Sequence, residues 1–223
     1  MGQRNRLGSY NARFNVLLDP KFLKILDKAL IKEGLGEIFK IALIKSEELF
    51  DKIEKSASKL LQGDFYNKPQ GRVLLSQSLR LMLEEIHENP EEDILRRSVD
   101  FGHTFSPLVE MESVSNASYR RLPHGYAVAY DCLLSSVISN IRGKLSDGDL
   151  SRIFNLYLIF DFDFSNPVYM DHDLMWASVL EMTKHRGNNQ HIPIPTGIGQ
   201  FCFIEDLTYD ELKIAKKRLA KLL

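Results

Sequence analysis

The chain of 223 residues has no apolar run approaching the about 20 residues that cross a bilayer. Its start, MGQRNRLGSY, lacks the hydrophobic segment of a secretory signal. The expectation is therefore a cytoplasmic protein with no membrane partner. Charge of one sign is also lacking: 29 Lys and Arg against 30 Asp and Glu give a net charge of −1. That balance offers no electrostatic footprint for nucleic acid, and the basic run Lys213–Arg218 falls at helical spacing, as a solvated face does. Cysteine is scarce. Cys132 and Cys202 sit in apolar runs without metal-type spacing, and read as small buried hydrophobes rather than a disulfide. HExxH, CxxC and a glycine-rich phosphate loop after a strand are all missing, so no short motif names a chemistry by itself.

What is present is helical texture, with 44% hydrophobic and 26% charged residues. The pattern predicts a mainly α fold with a small β-hairpin and a short N-terminal strand. The strand is Phe14–Leu18, closed by Asp19-Pro20. Asp19 as cap and Pro20 at the first position open a helix to about Ala29, and Gly34 and Gly36 interrupt the pattern. A helical period then runs from Glu37 and breaks near Ser46. Residues 62–72 read as a link, 73–87 as a helix stopped by Asn89-Pro90, and 91–99 as another helix. Helices follow at 127–141, stopped by Gly143, at 147–160 and at 171–183. Residues 184–190 form a polar loop, HIPIPTGIGQFCFI two strands and a tight turn, and 206–223 a closing helix capped by Asp206 or Thr208.

Three segments hold polar residues that a plain helical bundle does not require. The first contains Glu37 and Lys40, three apart in GEIFKIALI and on one helix face; an exposed ion pair is the commoner use of that spacing. In the second, Arg96, Asp100 and His103 recur at i, i+4 and i+7, again one face if helical, and a capped helix end with a solvated arginine fits as well. The third is Lys184-His185-Arg186, a basic loop suited to an oxyanion or simply to solvent. His103 and His124 each adjoin a glycine, Gly102 and Gly125, and lead into apolar runs. They lie 21 positions apart, too far for one helix face, so they meet only by folding. With Glu37 they would make a three-ligand zinc site with an open position, the arrangement of a catalytic zinc.

GEIFKIALI, DFGHTFSPLVE and LPHGYAVAYD, in that order, resemble the metal-binding motifs of the sugar phosphate cyclases, the superfamily that contains 3-dehydroquinate synthase. The similarity runs from Asn5-Arg6-Leu7-Gly8 to the PIPTGIG turn. It implies a dehydroquinate-synthase-like helical C-terminal domain over residues 20–223, preceded by a remnant of the nucleotide-binding domain over 1–19. It further implies Glu37, His103 and His124 as ligands of zinc or cobalt, and Lys40, Arg96, Asp100 and His185 as catalytic and substrate-binding residues, with Asn5 also on the substrate side. Asp100, Pro107 and His185 stand where 3-dehydroquinate synthase has Asn, His and Lys, and resemble the 2-epi-5-epi-valiolone synthase branch. That branch cyclises sedoheptulose 7-phosphate, using NAD, with phosphate elimination and aldol closure. Desmethyl-4-deoxygadusol synthase and 3-dehydroquinate synthase activities are alternatives within the superfamily.

Two departures qualify the resemblance. Relatives carry Glu after the second His-Gly, where this chain has Tyr126. The NAD-binding half of the family is not among these residues, which leads us to expect a nucleotide-binding domain on another chain or in a missing N-terminal half. A homodimer is expected too. The alternative in another class is a non-catalytic domain kept for dimerisation or partner binding.

Overall fold

In the computed structural model, which describes residues 16–60, 68–91 and 93–223, the longest buried element is a helix at the middle of the chain. Eight α-helices and one hairpin follow the order α1 (Lys28–Lys45), α2 (Glu47–Leu60), α3 (Pro69–Glu88), α4 (Ser106–Ser115), α5 (His124–Ile141), α6 (Asp147–Ile159), α7 (His172–His185), β1 (Ile192–Gly197), β2 (Gln200–Ile204) and α8 (Tyr209–Leu222). Fourteen of the eighteen residues of α5 are buried. A helix apolar on every side must be wrapped on every side, and α1, α4, α6, α8 and β1 all pack on it. Its small polar residues are satisfied internally: Ser136 donates to the Cys132 carbonyl at 2.7 Å, and Ser139 to the Pro195 carbonyl of β1. Cys132 lies inside this helix and Cys202 is half-buried on β2; both are free thiols.

The hairpin matches the expected two strands and turn. It is antiparallel, pairing Ile192 with Ile204, Ile194 with Cys202 and Pro195 with Phe201. Pro193 and Pro195, at alternate positions, turn their missing N–H groups to the same unpaired edge, where proline costs no ladder bond. The turn is tied to the end of α1 by the Gly199 N–H, which donates to the Leu43 carbonyl at 2.8 Å. The closing helix takes Thr208 as its cap.

Several expectations need correction. Val16–Leu18 form no strand; they are exposed and lie beside no other strand among the described residues, while Phe14 and Asn15 fall outside them. Pro20 opens only a short 3-10 turn, Pro20–Ile25, because Asp27 starts a new helix by accepting from the Ala29 N–H at 3.3 Å. That helix, α1, then runs straight through Gly34 and Gly36 to the expected break at Ser46, whose hydroxyl caps α2 through the Leu49 N–H. Residues 69–72 are the first turn of α3 rather than a link. Finally, 93–97 is not helical. The Asn89 side chain bonds both the N–H and the carbonyl of Ile94, at 3.1 and 2.8 Å, and a side chain that satisfies backbone groups in this way competes with the helix. Only a 3-10 turn at Ser98–Asp100 remains, so Arg96, Asp100 and His103 share no helix face. At the other end, α7 extends two residues beyond Thr183 to take in Lys184 and His185.

Why α1 tolerates two glycines is a matter of packing. A Cβ on Gly36 would lie 2.3 Å from the Gly125 carbonyl oxygen, and one on Gly125 would lie 2.1 Å from the Glu33 carbonyl oxygen. The two helices cross backbone to backbone, as only glycine allows. Gly34, between these two contact points, has open space around it. Gly34→Ala is expected to raise stability by about 0.5–1 kcal/mol, the usual gain over glycine inside a helix. Gly36→Ala should lower it by about 1–3 kcal/mol through overpacking. Urea unfolding midpoints of the two variants check the opposite signs.

Candidate metal centre

The crossing of α1 and α5 decides where the neighbours of its two glycines go. Glu37 follows Gly36 on α1, and His124 precedes Gly125 at the first position of α5, so the two side chains emerge side by side. His124 Nε2 lies 3.1 Å from Glu37 Oε1. His103 arrives from the loop before α4. Gly102, at φ +76°, turns this loop tightly against α5, where a Cβ would meet the Cys132 sulfur at 2.9 Å and Val128 at 3.0 Å. The turn leaves His103 Nε2 3.7 Å from the same Glu37 oxygen, with the two imidazole rings 5.5 Å apart. One ligand atom from each of Glu37, His103 and His124 lies within 4.8 Å of the others; among the described residues no other group of this kind occurs. Lys40, 3% exposed, places its ammonium 2.7 Å from Glu37 Oε2, one turn along the same face. The expected pair is thus buried at the amine and turned inward.

The charges are strongly coupled. Burial alone would raise the Glu37 carboxyl, but the hydrogen bond from His124 and the charges of Lys40 and His103 outweigh it and hold the pKa at about 2. Burial, helped by Lys40, pushes His103 down to about 4, so at neutral pH it offers a lone pair. His124 is raised to about 9 by its hydrogen bonds to Glu110 and Glu37. The donor set fits zinc or a similar ion. A tetrahedral site with bonds of about 2.0–2.1 Å spaces its ligand atoms by roughly 3.3–3.4 Å, within the range found among these three side chains. Each imidazole also has its second nitrogen engaged, His103 Nδ1 with the Phe101 carbonyl at 3.3 Å and His124 Nδ1 with Glu110 Oε2 at 2.8 Å. Such partners are the usual companions of ligating histidines.

Glu110 is a residue that sequence reasoning passed over, although it closes the DFGHTFSPLVE stretch. Asp131, which closes LPHGYAVAYD, is another. Fully buried on α5, it accepts from the Phe105 and Ser106 N–H groups at 2.6 and 2.9 Å and so caps α4. Burial raises its carboxyl to about 6 despite these bonds. Tyr126, which stands in place of the family's Glu, takes no part in the cluster described. Its ring packs edge-on against Phe162 at 5.1 Å, under the Lys32 ammonium.

The remaining expected residues gather elsewhere. Asp100 is buried, and its carboxylate takes both Arg97, at 2.7 and 3.2 Å, and Arg186, at 2.8 Å. Arg186 also donates to the His191 carbonyl. The KHRG segment is therefore divided: Arg186 turns inward, while Lys184 and His185 lie on the exposed last turn of α7 near Glu181. Arg96 is half-exposed over the Phe203 ring at 4.6 Å, beside Glu205. With Lys45, Glu85, Arg97, Ser98 and Phe201 it lines a cavity of about 280 Å³. Asn5 lies outside the described residues.

An inward-facing Glu and two His, drawn from α1, a glycine turn and α5, thus sit in a mainly helical domain whose family the comparisons with known proteins show. The profile of the 3-dehydroquinate synthase C-terminal domain matches residues 34–185. The chain belongs to this family. It is 39% identical to a 2-epi-5-epi-valiolone synthase of Streptomyces hygroscopicus subsp. jinggangensis, over 98% of this chain and 52% of the relative. It is 31% identical to a demethyl-4-deoxygadusol synthase of Trichormus variabilis, over 95% of this chain and 52% of the relative. A solved structure of the Streptomyces enzyme ValA, described with NAD+ and Zn2+ bound, superposes with a TM-score of 0.91 at 39% identity, covering 98% of this chain and 59% of that one. The chain spans about half the length of the curated relatives it matches. No helix among the described residues is long and apolar enough to cross a membrane.

The arrangement around Asp100 yields a stability test. Asp100→Ala leaves Arg186 buried without its carboxylate and should cost about 3–5 kcal/mol. Arg96→Ala removes an exposed stacking contact on Phe203 and a surface ion pair with Glu205, and should cost less than about 1 kcal/mol. Thermal unfolding of both variants checks the difference.

Proposed function

We propose that this chain is the metal- and substrate-binding part of a 2-epi-5-epi-valiolone-synthase-type cyclase, acting on sedoheptulose 7-phosphate with NAD held by a nucleotide-binding domain outside these residues. The observation that carries the reading is the meeting of Glu37, His103 and His124 beside Lys40, in a chain 39% identical to enzymes of that name. Glu37, His103 and His124 would hold the zinc. A zinc held there would supply Lewis-acid polarisation of a substrate hydroxyl or carbonyl oxygen.

The chain's own residues supply the rest. Glu37 divides its carboxylate, Oε1 toward the two imidazoles and Oε2 to Lys40. That contact fixes the Lys40 ammonium at the edge of the centre, where it can donate to a substrate oxygen and stabilise negative charge developing there. Burial of its alkyl stem against Gly102 keeps the ammonium from swinging into solvent. Asp100 works at one remove. By taking Arg97 and Arg186 together it holds two segments side by side, and Leu95 packs against Gly187 where they meet. The exposed neighbours Arg96 and His185 are thereby presented from one region, as contacts for charged or polar substrate groups.

Two measurements test the proposal. The purified chain should take up about one equivalent of zinc or cobalt, and His103→Ala or Glu37→Gln should abolish stoichiometric uptake. Mixed with a nucleotide-binding domain from a relative, NAD and zinc, it should release phosphate from sedoheptulose 7-phosphate. Mass spectrometry of the cyclic product separates a valiolone-type from a deoxygadusol-type outcome. Metal uptake without phosphate release in any such mixture overturns the catalytic assignment and favours a binding domain.

A further inference from the structure

The two histidines of the centre are oriented by unequal partners. His103 Nδ1 faces a neutral carbonyl from its own loop, Phe101 O at 3.3 Å. His124 Nδ1 faces a carboxylate from a different helix, Glu110 Oε2 at 2.8 Å. A charge-assisted hydrogen bond is roughly twice as strong as a neutral one. Glu110 is mostly buried, its side chain 16% exposed, while the His124 side chain is 47% exposed.

The helix carrying Glu110 is itself pinned. Its N-terminus rests on Asp131 through the Phe105 and Ser106 N–H groups. Ser106 also donates to the Gly102 carbonyl at 2.7 Å, and Ser178 of α7 donates to the Phe105 carbonyl at 3.0 Å. Asp131 and His124 are seven residues apart on α5, two turns along one face. The two helices thus exchange carboxylates: Asp131 reaches from α5 to the start of α4, and Glu110 reaches back from the next turn of α4 to the start of α5. With both points fixed, the His124 ring has little freedom to rotate.

We propose that Glu110 is the positioning residue for His124. It keeps Nδ1 as the protonated nitrogen and turns Nε2 toward Glu37, and its charge makes the ring a stronger donor to a cation. The assignment rests on reading Glu37, His103 and His124 as a metal centre. It also accounts for Tyr126, since a carboxylate from α4 already occupies the orienting position beside His124.

The test is cobalt(II) binding to the full chain, read by visible d–d absorption and by competition with a chromophoric chelator, with circular dichroism to verify folding. Glu110→Ala should weaken binding by about 10–100-fold and shift the d–d bands. Glu110→Gln retains an oxygen acceptor for Nδ1–H but no charge, and should lose about tenfold, the lower end of that range. Wild-type affinity and spectrum in a folded Glu110→Ala overturn the proposal, even if that variant melts earlier, because then Glu110 only braces α4 against α5. Should Glu110→Ala fail to fold, Glu110→Gln decides, with unchanged affinity as the overturning result. A wild-type chain that binds no cobalt overturns the metal-centre reading itself, an outcome distinct from these.

Discussion

The contact on which the site depends is made by two residues without side chains. Gly36 and Gly125 let α1 and α5 approach until the backbone of one lies where a Cβ of the other would be. Glycine inside a helix costs about 0.5–1 kcal/mol relative to alanine, and α1 bears that cost twice. What the approach provides is geometry. A carboxylate on one helix and an imidazole on the other leave their backbones at adjacent positions and meet at 3.1 Å, without either side chain having to span a normal interhelical gap of about 8–10 Å. Because α5 is buried on nearly all sides, the crossing is held by the whole core rather than by the site.

Around that crossing the polar groups form a closed set. Glu37 touches Lys40, His103 and His124; His124 touches Glu110; and the helix carrying Glu110 is capped by Asp131. Buried polar groups are tolerated only where they satisfy one another, and here each one fixes the next. The aromatic layer behind α1 has a different task. Phe39, Tyr157, Phe160 and Phe162 meet edge to face or tilted at 4.5–6.1 Å and fill the space where α1, α5 and α6 converge. It fixes the helices but leaves the polar side of α1 open to the centre.

Local patterns in the sequence revealed most of the elements, because caps, breakers and apolar period act over a few residues. Ser46, Asn89-Pro90, Gly143, Thr208 and the PIPTGIG turn end or start structure where their chemistry predicts. The misreadings share a cause, a distant or side-chain partner overriding a local preference. Gly36 looks like a helix breaker until Gly125 is placed against it. Residues 93–97 look helical until Asn89 claims the Ile94 backbone. At the site, motif order pointed to Glu37, His103 and His124, which the fold brings together, yet Glu110 and Asp131 carried no signal beyond being acidic residues on apolar helices. Their roles exist only between α4 and α5. The separation of Arg96 from His103 was equally illegible, since it follows from the missing helix.

The residues proposed to hold the metal and those proposed to face substrate also stand on different kinds of support. Glu37 and His124 sit on helices locked by the core, whereas Arg96, Asp100 and His185 sit on or beside connecting segments. Rigid elements suit a centre that tolerates little positional error, and connecting segments suit a specificity that varies among relatives. Asp100 shows how such variation is constrained. An asparagine at that position would bring no negative charge to the place where Arg97 and Arg186 both converge, largely buried, on this carboxylate. Because Arg97 adjoins Arg96 and Arg186 adjoins His185, a change at Asp100 would move the exposed residues on both segments at once. A single buried charge thus links the two segments that the proposed substrate would touch, which makes Asp100 informative about the branch although its own carboxylate is already engaged.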